Sequence, residues 1–570
     1  MRFVAFATDY DETLADHGRV VPSTEQALER LRASGRKLLL VTGRDLDDLM
    51  EVFPRLDLFD AVVAENGALL YLPARKQEQR LAEQPPPEFA RALGRQGVPI
   101  TTGRVIVATR VPHETTVLEE IRREGLELQV IFNKGAVMVL PSGVNKGTGL
   151  RHGLKELRLS PHNAVAVGDA ENDHVFLTEA ELGAAVANAL PTLRARADLV
   201  LRSPAHRGVE ELIAQILDDD LRAAAARTTR RNLLLGEGEK GQPVTVRPAS
   251  GPLLFAGPPG SGKSSAAKGF VERLIDARYQ CCILDPEGDW TGFERIVQIG
   301  EPRRAPTVEE IASALSLPWE QIVVNLVAVR HDDRPRFFSA LLPRIQELRA
   351  ATGRPHWLIV DEAHQFAPTH APPAKDALPV DLSGVGAITA WPRELPRPLL
   401  ERLEMVVGVG AGANEVIADF CAARGLSLPA SSDREMRTGE ALVWRADDPK
   451  PTWLRLSPTR AAHEHHLRKY AESELPPDRS FVFRGPDDKL KLCAHNLKLF
   501  EELALGVDDA TWLHHLRRGD YSRWFREELK DEELASEAQQ VEKETSLDPA
   551  ESRKRILAAI DRRYAAPERT

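Results

Sequence analysis

Cysteine is scarce in this chain: four in 570 residues, Cys281, Cys282, Cys421 and Cys493. No two stand in C-x-x-C spacing, which speaks against a structural zinc site or a disulfide framework and fits reduced thiols in a cytosolic protein. No apolar run approaches the ~20 residues that span a bilayer, so no membrane partner is expected. The opening segment MRFVAFATDYDET carries acids where a signal peptide has its apolar core, and a cytoplasmic location is expected. Positive charge is not in excess either: 75 Lys and Arg against 85 Asp and Glu leave a formal net charge of −10. That argues against a generally basic nucleic-acid binder but leaves room for a local basic channel. The rest is ordinary globular composition, 42% hydrophobic and 28% charged. The length predicts roughly three or four domains.

Near the middle stands GPPGSGKS: Gly257, Pro258, Pro259, Gly260, Ser261, Gly262, Lys263 and Ser264. It fits G-x-x-x-x-G-K-[ST]. The apolar run Pro252 to Ala256 enters it and the helix-compatible run Ser265 to Asp276 leaves it. In that context glycines let backbone N–H groups converge on phosphates, Lys263 reaches the outer phosphates and the Ser264 hydroxyl holds Mg²⁺.

A second phosphate chemistry lies upstream. An apolar run over residues 1–8 ends in Asp9-Tyr10-Asp11-Glu12-Thr13. Two carboxylates two residues apart at a strand end serve one site, one attacking while the other handles protons. Lys37 to Val41 ends in Thr42-Gly43-Arg44; Lys146 follows the apolar run and turn VMVLPSGVN; Ala164 to Val167 ends in Gly168-Asp169-Ala170-Glu171-Asn172-Asp173. In an open parallel sheet such strand ends face one crevice.

These residues resemble the haloacid dehalogenase superfamily of phosphatases, in particular its Cof-like, sugar-phosphate-phosphatase-like branch, over about residues 1–215. The resemblance implies a Rossmannoid α/β core. Asp9 is then the nucleophile that forms an aspartyl-phosphate, and Asp11 protonates the leaving group and later activates water. Thr42 and Lys146 bind phosphoryl oxygens. Asp9, the Asp11 carbonyl, Asp169 and Asp173 hold Mg²⁺, and Asn172 positions the site. It further implies that Ala64-Glu65-Asn66-Gly67-Ala68 leads into an inserted α/β cap, about residues 83–142. Within that span Val105 to Val111 and Leu128 to Phe132 read as strands, with a helix over Thr115 to Arg123. Substrate choice belongs in the cap, where His113 and Asn133 are candidate contacts, although a lone polar residue there is more often solvated.

Residues 216–232 read as a helical end and linker, with Arg227, Arg230 and Arg231 as a basic patch open to solvent, nucleic acid or a neighbouring subunit. Beyond the phosphate loop, Cys281 to Leu284 ends in Asp285-Pro286-Glu287-Gly288-Asp289-Trp290, and Trp357 to Val360 ends in Asp361-Glu362-Ala363-His364. Asp361 is placed to bind the Mg²⁺ of ATP and Glu362 to polarise the attacking water. Over about residues 233–460 the motifs resemble the HerA/FtsK superfamily of P-loop ATPases. That implies a RecA-like domain, ATP as ligand and a hexamer working on DNA. One position departs: the glutamine that senses the outer phosphate is replaced by Ala390, in Thr389-Ala390-Trp391-Pro392. Arg393, Arg397 and Arg402 are all candidates for an arginine acting in trans.

Residues 461–478 read as a second linker and 479–570 as a mostly α domain, similar to a small bacterial domain that supplies no chemistry. His495, His514 and His515 are expected to be packed or surface histidines rather than metal ligands. The expected protein is thus a Mg²⁺-dependent phosphomonoester phosphatase joined to an ATP-binding domain. Two alternatives stand beside it: a DNA-associated motor or defence protein whose hydrolase part processes nucleotides, and a phosphatase gated by ATP with little turnover.

Overall fold

The computed structural model describes every residue except 134, 259, 291, 292, 294, 367–380, 428–435, 438, 446, 447, 449, 461–479, 487–489, 530, 545 and 565–570. Residues 461–478, expected as a linker, therefore lie outside the described residues. The chain forms two compact units, residues 1–287 with 295–457 and residues 288–294 with 458–570.

The first strands in chain order are β1 (Ala5–Thr8), β2 (Lys37–Val41), β3 (Ala61–Ala64), β4 (Leu69–Leu72), β5 (Gln77–Arg80), β6 (Thr101–Thr102), β7 (Val107–Arg110), β8 (Leu128–Asn133), β9 (Ala136–Pro141), β10 (Ala164–Gly168), β11 (Leu182–Ala185) and β12 (Leu199–Val200). Eight of them make one sheet, ordered β12-β11-β10-β1-β2-β3-β4-β5. It is parallel from β12 to β3, and β4 and β5 run antiparallel. The runs AFAT, LLLV and AVAVG are buried along their whole length, as parallel strands covered on both faces require. β1 pairs with β2 on one side and β10 on the other, so a crevice opens beyond its C-terminal end.

A separate antiparallel sheet, β6-β7-β9-β8, carries helices Pro87–Arg95 and Glu114–Glu124. Alternation along β9 sorts its side chains: Met138 and Leu140 join Val105, Ile106 and Ala68, while Val139 packs with Phe89, Leu93 and Val117 from the helices. The strand expected over Val105 to Val111 is shorter, because the N–H groups of Val105 and Ile106 go to the Glu65 carboxylate at 2.7 and 2.9 Å instead of a neighbouring strand.

The second sheet takes β13 (Leu233–Gly238), β14 (Pro243–Val246), β15 (Leu253–Ala256), β16 (Cys281–Asp285), β17 (Ile296–Ile299), β18 (Gln321–Asn325), β19 (Trp357–Val360), β20 (Val385–Thr389), β21 (Met405–Val409), β22 (Glu440–Arg445) and β23 (Thr452–Leu456). Their order is β14-β13-β23-β22-β21-β15-β20-β19-β16-β18-β17. From β21 to β17 the strands are parallel, and β15 lies between β20 and β21.

The two sheets are joined at the beginnings of their strands. His162 and Asn163 precede β10, and Glu181 precedes β11; they meet Ala277 and Tyr279 before β16 and His356 before β19. His162 stacks on Tyr279 with ring centroids 3.7 Å apart. Its Nδ1 lies 2.8 Å from Glu181 and its Nε2 2.7 Å from the Ala277 carbonyl. The Nδ1 of His356 accepts from the Gln280 N–H, and burial holds that ring neutral, well below the usual histidine range. The strand ends that face the two crevices thus point away from this joint.

The segment expected as a linker is built into the same unit. Arg230 and Arg231 donate to the carbonyls of Thr178 and Ala180, closing the C-terminus of helix His174–Glu179, and Arg230 also pairs with Asp198. Both cap the helix end while staying open to solvent in part: Arg230 is exposed, as is Arg227, and Arg231 is partly buried.

The other unit sets helices Leu497–Gly506, Asp509–Arg518, Asp520–Glu527, Glu532–Lys543 and Pro549–Tyr564 beside a hairpin of β24 (Phe481–Phe483) and β25 (Leu492–Ala494). Phe481, Phe483, Phe500, Trp512, Tyr521 and Phe525 form its core. His515 is a packed residue: it bonds to Asp520 at 2.8 Å and accepts from the Arg484 N–H.

Candidate functional site

Asp9 follows β1 directly. Lys146 reaches it because Asn145 caps helix Lys146–Glu156 in a reciprocal box with Thr148, which aims the first side chain of the helix at the crevice. The helix sits close: a Cβ on Gly149 would fall 2.6 Å from the Gly67 Cα. Lys146 Nζ donates to Asp9 at 2.6 Å and to Asp173 at 2.7 Å, and it is 1% exposed. The other Asp173 oxygen accepts the N–H groups of Asp169 and Ala170, both at 2.9 Å. That contact leaves no room at Gly168 for a Cβ, which would meet the carboxylate at 2.6 Å. Asp169 accepts the Thr13 hydroxyl at 3.1 Å. Carboxylate oxygens of Asp9, Asp169 and Asp173 all lie within 4.8 Å of one another, and all three residues are buried.

The charges explain one another. Burial pushes the Asp9 carboxyl above the usual carboxylate range; Lys146 opposes this, and Asp173 and Asp169 add to it. Burial works against the Lys146 ammonium, yet Asp173 and Asp9 outweigh it and hold it above the usual lysine range. Thr42, fully buried, follows the neighbouring strand and accepts the Arg44 N–H on its hydroxyl at 3.2 Å. Asn172 donates to Asn66 at 2.9 Å, and the Asn66 N–H donates to the Thr42 carbonyl.

Asp11 stands apart from the buried acids. Arg44 holds it with Nε at 2.8 Å and Nη2 at 2.7 Å on opposite oxygens, and also pairs with Asp48. Its carbonyl, not its carboxylate, is the atom expected to face a cation. His113 begins a cap helix, and Asn133 ends β8 with its Oδ1 buried and unpartnered among the described residues.

In the second sheet, the loop between β15 and helix Lys263–Asp276 contains Gly260 and Gly262 at φ +80 and +91. A Cβ on Gly257 would meet Ser261 Oγ at 2.4 Å, so the loop closes only with glycine there. Ser261 Oγ is buried without a partner among the described residues. Lys263 and Ser264 open the helix, and Lys263 Nζ is 3.6 Å from Glu362. Asp361 is buried after β19, one strand away from β15, and accepts the Glu362 N–H. His364 bonds to Thr389 at 3.0 Å. Pro258 lies on the loop; Pro259 is outside the described residues. Asp285 ends β16 in this unit, whereas Asp289 belongs to the other. Trp391, beside Ala390, is half exposed, Arg393 pairs with Asp419, and Arg397 with Glu401.

The family model of the haloacid dehalogenase-like hydrolases matches residues 6–92 and 100–213. Phosphoglycolate phosphatase 2 of Saccharolobus solfataricus is 30% identical over 221 residues, 38% of this chain and 92% of that protein. This chain belongs to the haloacid dehalogenase-like hydrolases. Phosphoglycolate phosphatase of Methanothermobacter thermautotrophicus is 29% identical over 222 residues, 37% of this chain and 98% of that one. A solved haloacid dehalogenase-like hydrolase of B. subtilis aligns with 18% identity and a TM-score of 0.33, over 38% of this chain and all of that one.

For a haloacid dehalogenase-like hydrolase that uses Mg²⁺, the donor set fits: three buried carboxylates offer hard oxygen ligands, and their mutual repulsion calls for a cation. Sequence reasoning missed three residues of this hydrolase site. Arg44 was visible only as part of Thr-Gly-Arg, with no hint of its hold on Asp11. Glu65 and Asn66 adopt φ of +52 and +55; asparagine favours that region, but a glutamate does not announce it.

Proposed function

We propose that this protein hydrolyses a small phosphomonoester through a phosphoaspartate on Asp9, and that its second sheet carries an ATP site. The observation that supports the first part is the Lys146 ammonium bridging Asp9 and Asp173 inside a buried acid cluster at the end of β1. Asp9, Asp169, Asp173 and the Asp11 carbonyl hold Mg²⁺, which when bound offsets the charge of the acids and the phosphoryl group. Lys146 and the Thr42 hydroxyl orient the phosphoryl oxygens. An Asp9 oxygen attacks phosphorus, the bond to the leaving oxygen breaks, and that oxygen takes a proton from Asp11. Asp11 then accepts a proton from the water that attacks the phosphoaspartate, releasing phosphate and restoring Asp9. The cap covers the crevice and excludes competing water.

The substrate class we favour is a small phosphorylated carboxylic acid, on the strength of the relatives named phosphoglycolate phosphatases. The test is release of phosphate from 2-phosphoglycolate with Mg²⁺: Asp9→Asn should abolish it, and undiminished release sinks the nucleophile assignment.

In the second sheet the backbone of Gly257 to Gly262 cradles the phosphates, Lys263 meets the outer ones, Ser264 and Asp361 hold Mg²⁺, and Glu362 polarises water. What supports this is the left-handed glycine loop at a helix start, with Lys263 and Glu362 beside each other across it. The Ala390 side chain cannot bond a phosphate, and the hydrolase sheet is tied to this one through His162 and Tyr279. Those two facts favour a reading in which ATP gates the phosphatase. Phosphatase rates with and without a non-hydrolysable ATP analogue test it; equal rates refute it.

A further inference from the structure

A second set of metal-ligating side chains stands on the loop that leaves β1, and the proposed chemistry uses none of them. Glu12, Asp16 and His17 bring ligand atoms within 4.8 Å of one another there. His17 Nε2 lies 3.7 Å from one Asp16 oxygen, and His206 Nδ1 lies 4.0 Å from the other. The Asp16 carboxylate therefore sits between two imidazoles from distant parts of the chain. Both spans exceed the ~3.2 Å reach of an N–H···O hydrogen bond. They suit two ligands of one ion. Donors about 2.0–2.2 Å from a shared metal stand roughly 3.4 Å apart at a tetrahedral angle, and roughly 4.2 Å apart when directly opposite.

His206 adds an independent observation. Its Nδ1 is shut off from water and has no hydrogen-bond partner among the described residues. A buried ring nitrogen left in that state costs free energy unless a ligand takes it up. A metal ion accepts its lone pair.

The frame around the four side chains is fixed. His206 stands in the first turn of helix Ala205–Asp219, whose Glu210 accepts the hydroxyls of Ser23 and Thr24 at 2.7 and 2.8 Å. Asn188 ties the start of that helix to the loop. Its Nδ2 donates to the Glu12 carbonyl at 2.9 Å, and its Oδ1 accepts the Ala205 N–H at 2.7 Å. Asp16 and Arg19 exchange backbone hydrogen bonds, and the Tyr10 hydroxyl donates to the Gly18 carbonyl at 3.2 Å. His17 is the open side, 92% exposed, so an ion has a way in and the ring has room to close on it.

We propose that Glu12, Asp16, His17 and His206 form a site for a divalent transition metal, made of none of the acids in the Asp9, Asp169 and Asp173 cluster. Two imidazoles with two carboxylates are a borderline donor set. That set suits Zn²⁺ and its first-row neighbours, whereas Mg²⁺ keeps to oxygen ligands. The ion pins the loop after β1 to the start of helix Ala205–Asp219. The site stands whether or not Asp9 is the nucleophile.

The experiment titrates the full chain with Zn²⁺ by calorimetry, with Mg²⁺ in excess to fill the acid cluster, and follows thermal melts alongside. One Zn²⁺ should bind and raise the melting temperature. Loss of a partner behind a metal ligand costs about 10- to 100-fold in affinity, and loss of a ligand costs at least as much. His17→Ala and His206→Ala should thus each weaken Zn²⁺ binding by at least about tenfold. His17 is the safer variant for folding and serves should His206→Ala not fold. Asp169→Asn should bind Zn²⁺ as the parent does. Absence of Zn²⁺ binding, or an affinity that neither histidine variant changes, overturns the site. Binding lost in Asp169→Asn but kept in both histidine variants puts the ion in the acid cluster and overturns it equally.

Discussion

Lys146 and Asp9 form a buried ion pair, 2.6 Å apart, between residues 137 positions distant in the chain. The pair sits where β1 ends and a capped helix begins, and a second acid, Asp173, shares the ammonium.

Lys146→Ala should therefore cost both function and stability. Asp9 and Asp173 are left as buried acids without a counter-charge, which destabilises by about 3–5 kcal/mol. Turnover of 2-phosphoglycolate should fall by at least about 10²-fold. Chemical denaturation and steady-state rates read the two effects; a variant of unchanged stability would falsify the pairing.

Mg²⁺ should stabilise the fold through the acid cluster. Ligand at a hundredfold excess over Kd adds about 2.7 kcal/mol to the folded state. Thermal melts with Mg²⁺ and then EDTA should rise and fall accordingly. Asp169→Asn should lose the increment, and a variant that keeps it removes Asp169 from the cation site.

The joint between the two sheets predicts a pH dependence. Burial alone would raise Glu181, but His162, Arg2 and Tyr279 bring it down to about 2 from an ordinary value near 4.5. Because the folded value is the lower one, the ionised carboxylate stabilises fully above about 4.5 and the contribution disappears as pH falls towards 2. Its size is roughly 3 kcal/mol. Glu181→Gln should be less stable than the parent protein at pH 7, with the gap closing between pH 4.5 and 2. A gap constant with pH contradicts the assignment.

For the second sheet, Lys263→Ala should weaken ATP binding by roughly 2–3 kcal/mol, the scale of a charge-assisted contact. Glu362→Gln should retain binding and lose whatever turnover the parent has. Equal ATP affinity of parent and Lys263→Ala, measured by calorimetry, removes the phosphate-loop assignment.

Much of the hydrolase site was legible in the chain because its residues fall at strand ends. Apolar runs followed by Asp9, Thr42 and Asp169 announce strands that stop in a crevice, and Lys146 follows an apolar run and a turn. The glycine loop between β15 and helix Lys263–Asp276 was legible for a related reason: glycine spacing records backbone geometry directly. Other features carry no local pattern. Arg230 and Arg231 looked like a solvated patch, and only the nearby helix end of His174–Glu179 made them caps. Val105 and Ile106 looked like strand, and only Glu65, some forty residues earlier, took their N–H groups.

The sequence by itself determined where the charged groups of the hydrolase site and the glycines of the loop after β15 stand along the chain, since strand and helix periodicity and glycine spacing are local properties. Tertiary structure alone decided which acid shares Lys146, which arginine holds Asp11 and what fastens the cap. Those are long-range pairings, settled when burial makes an unpaired charge too costly and each must find its partner across the fold.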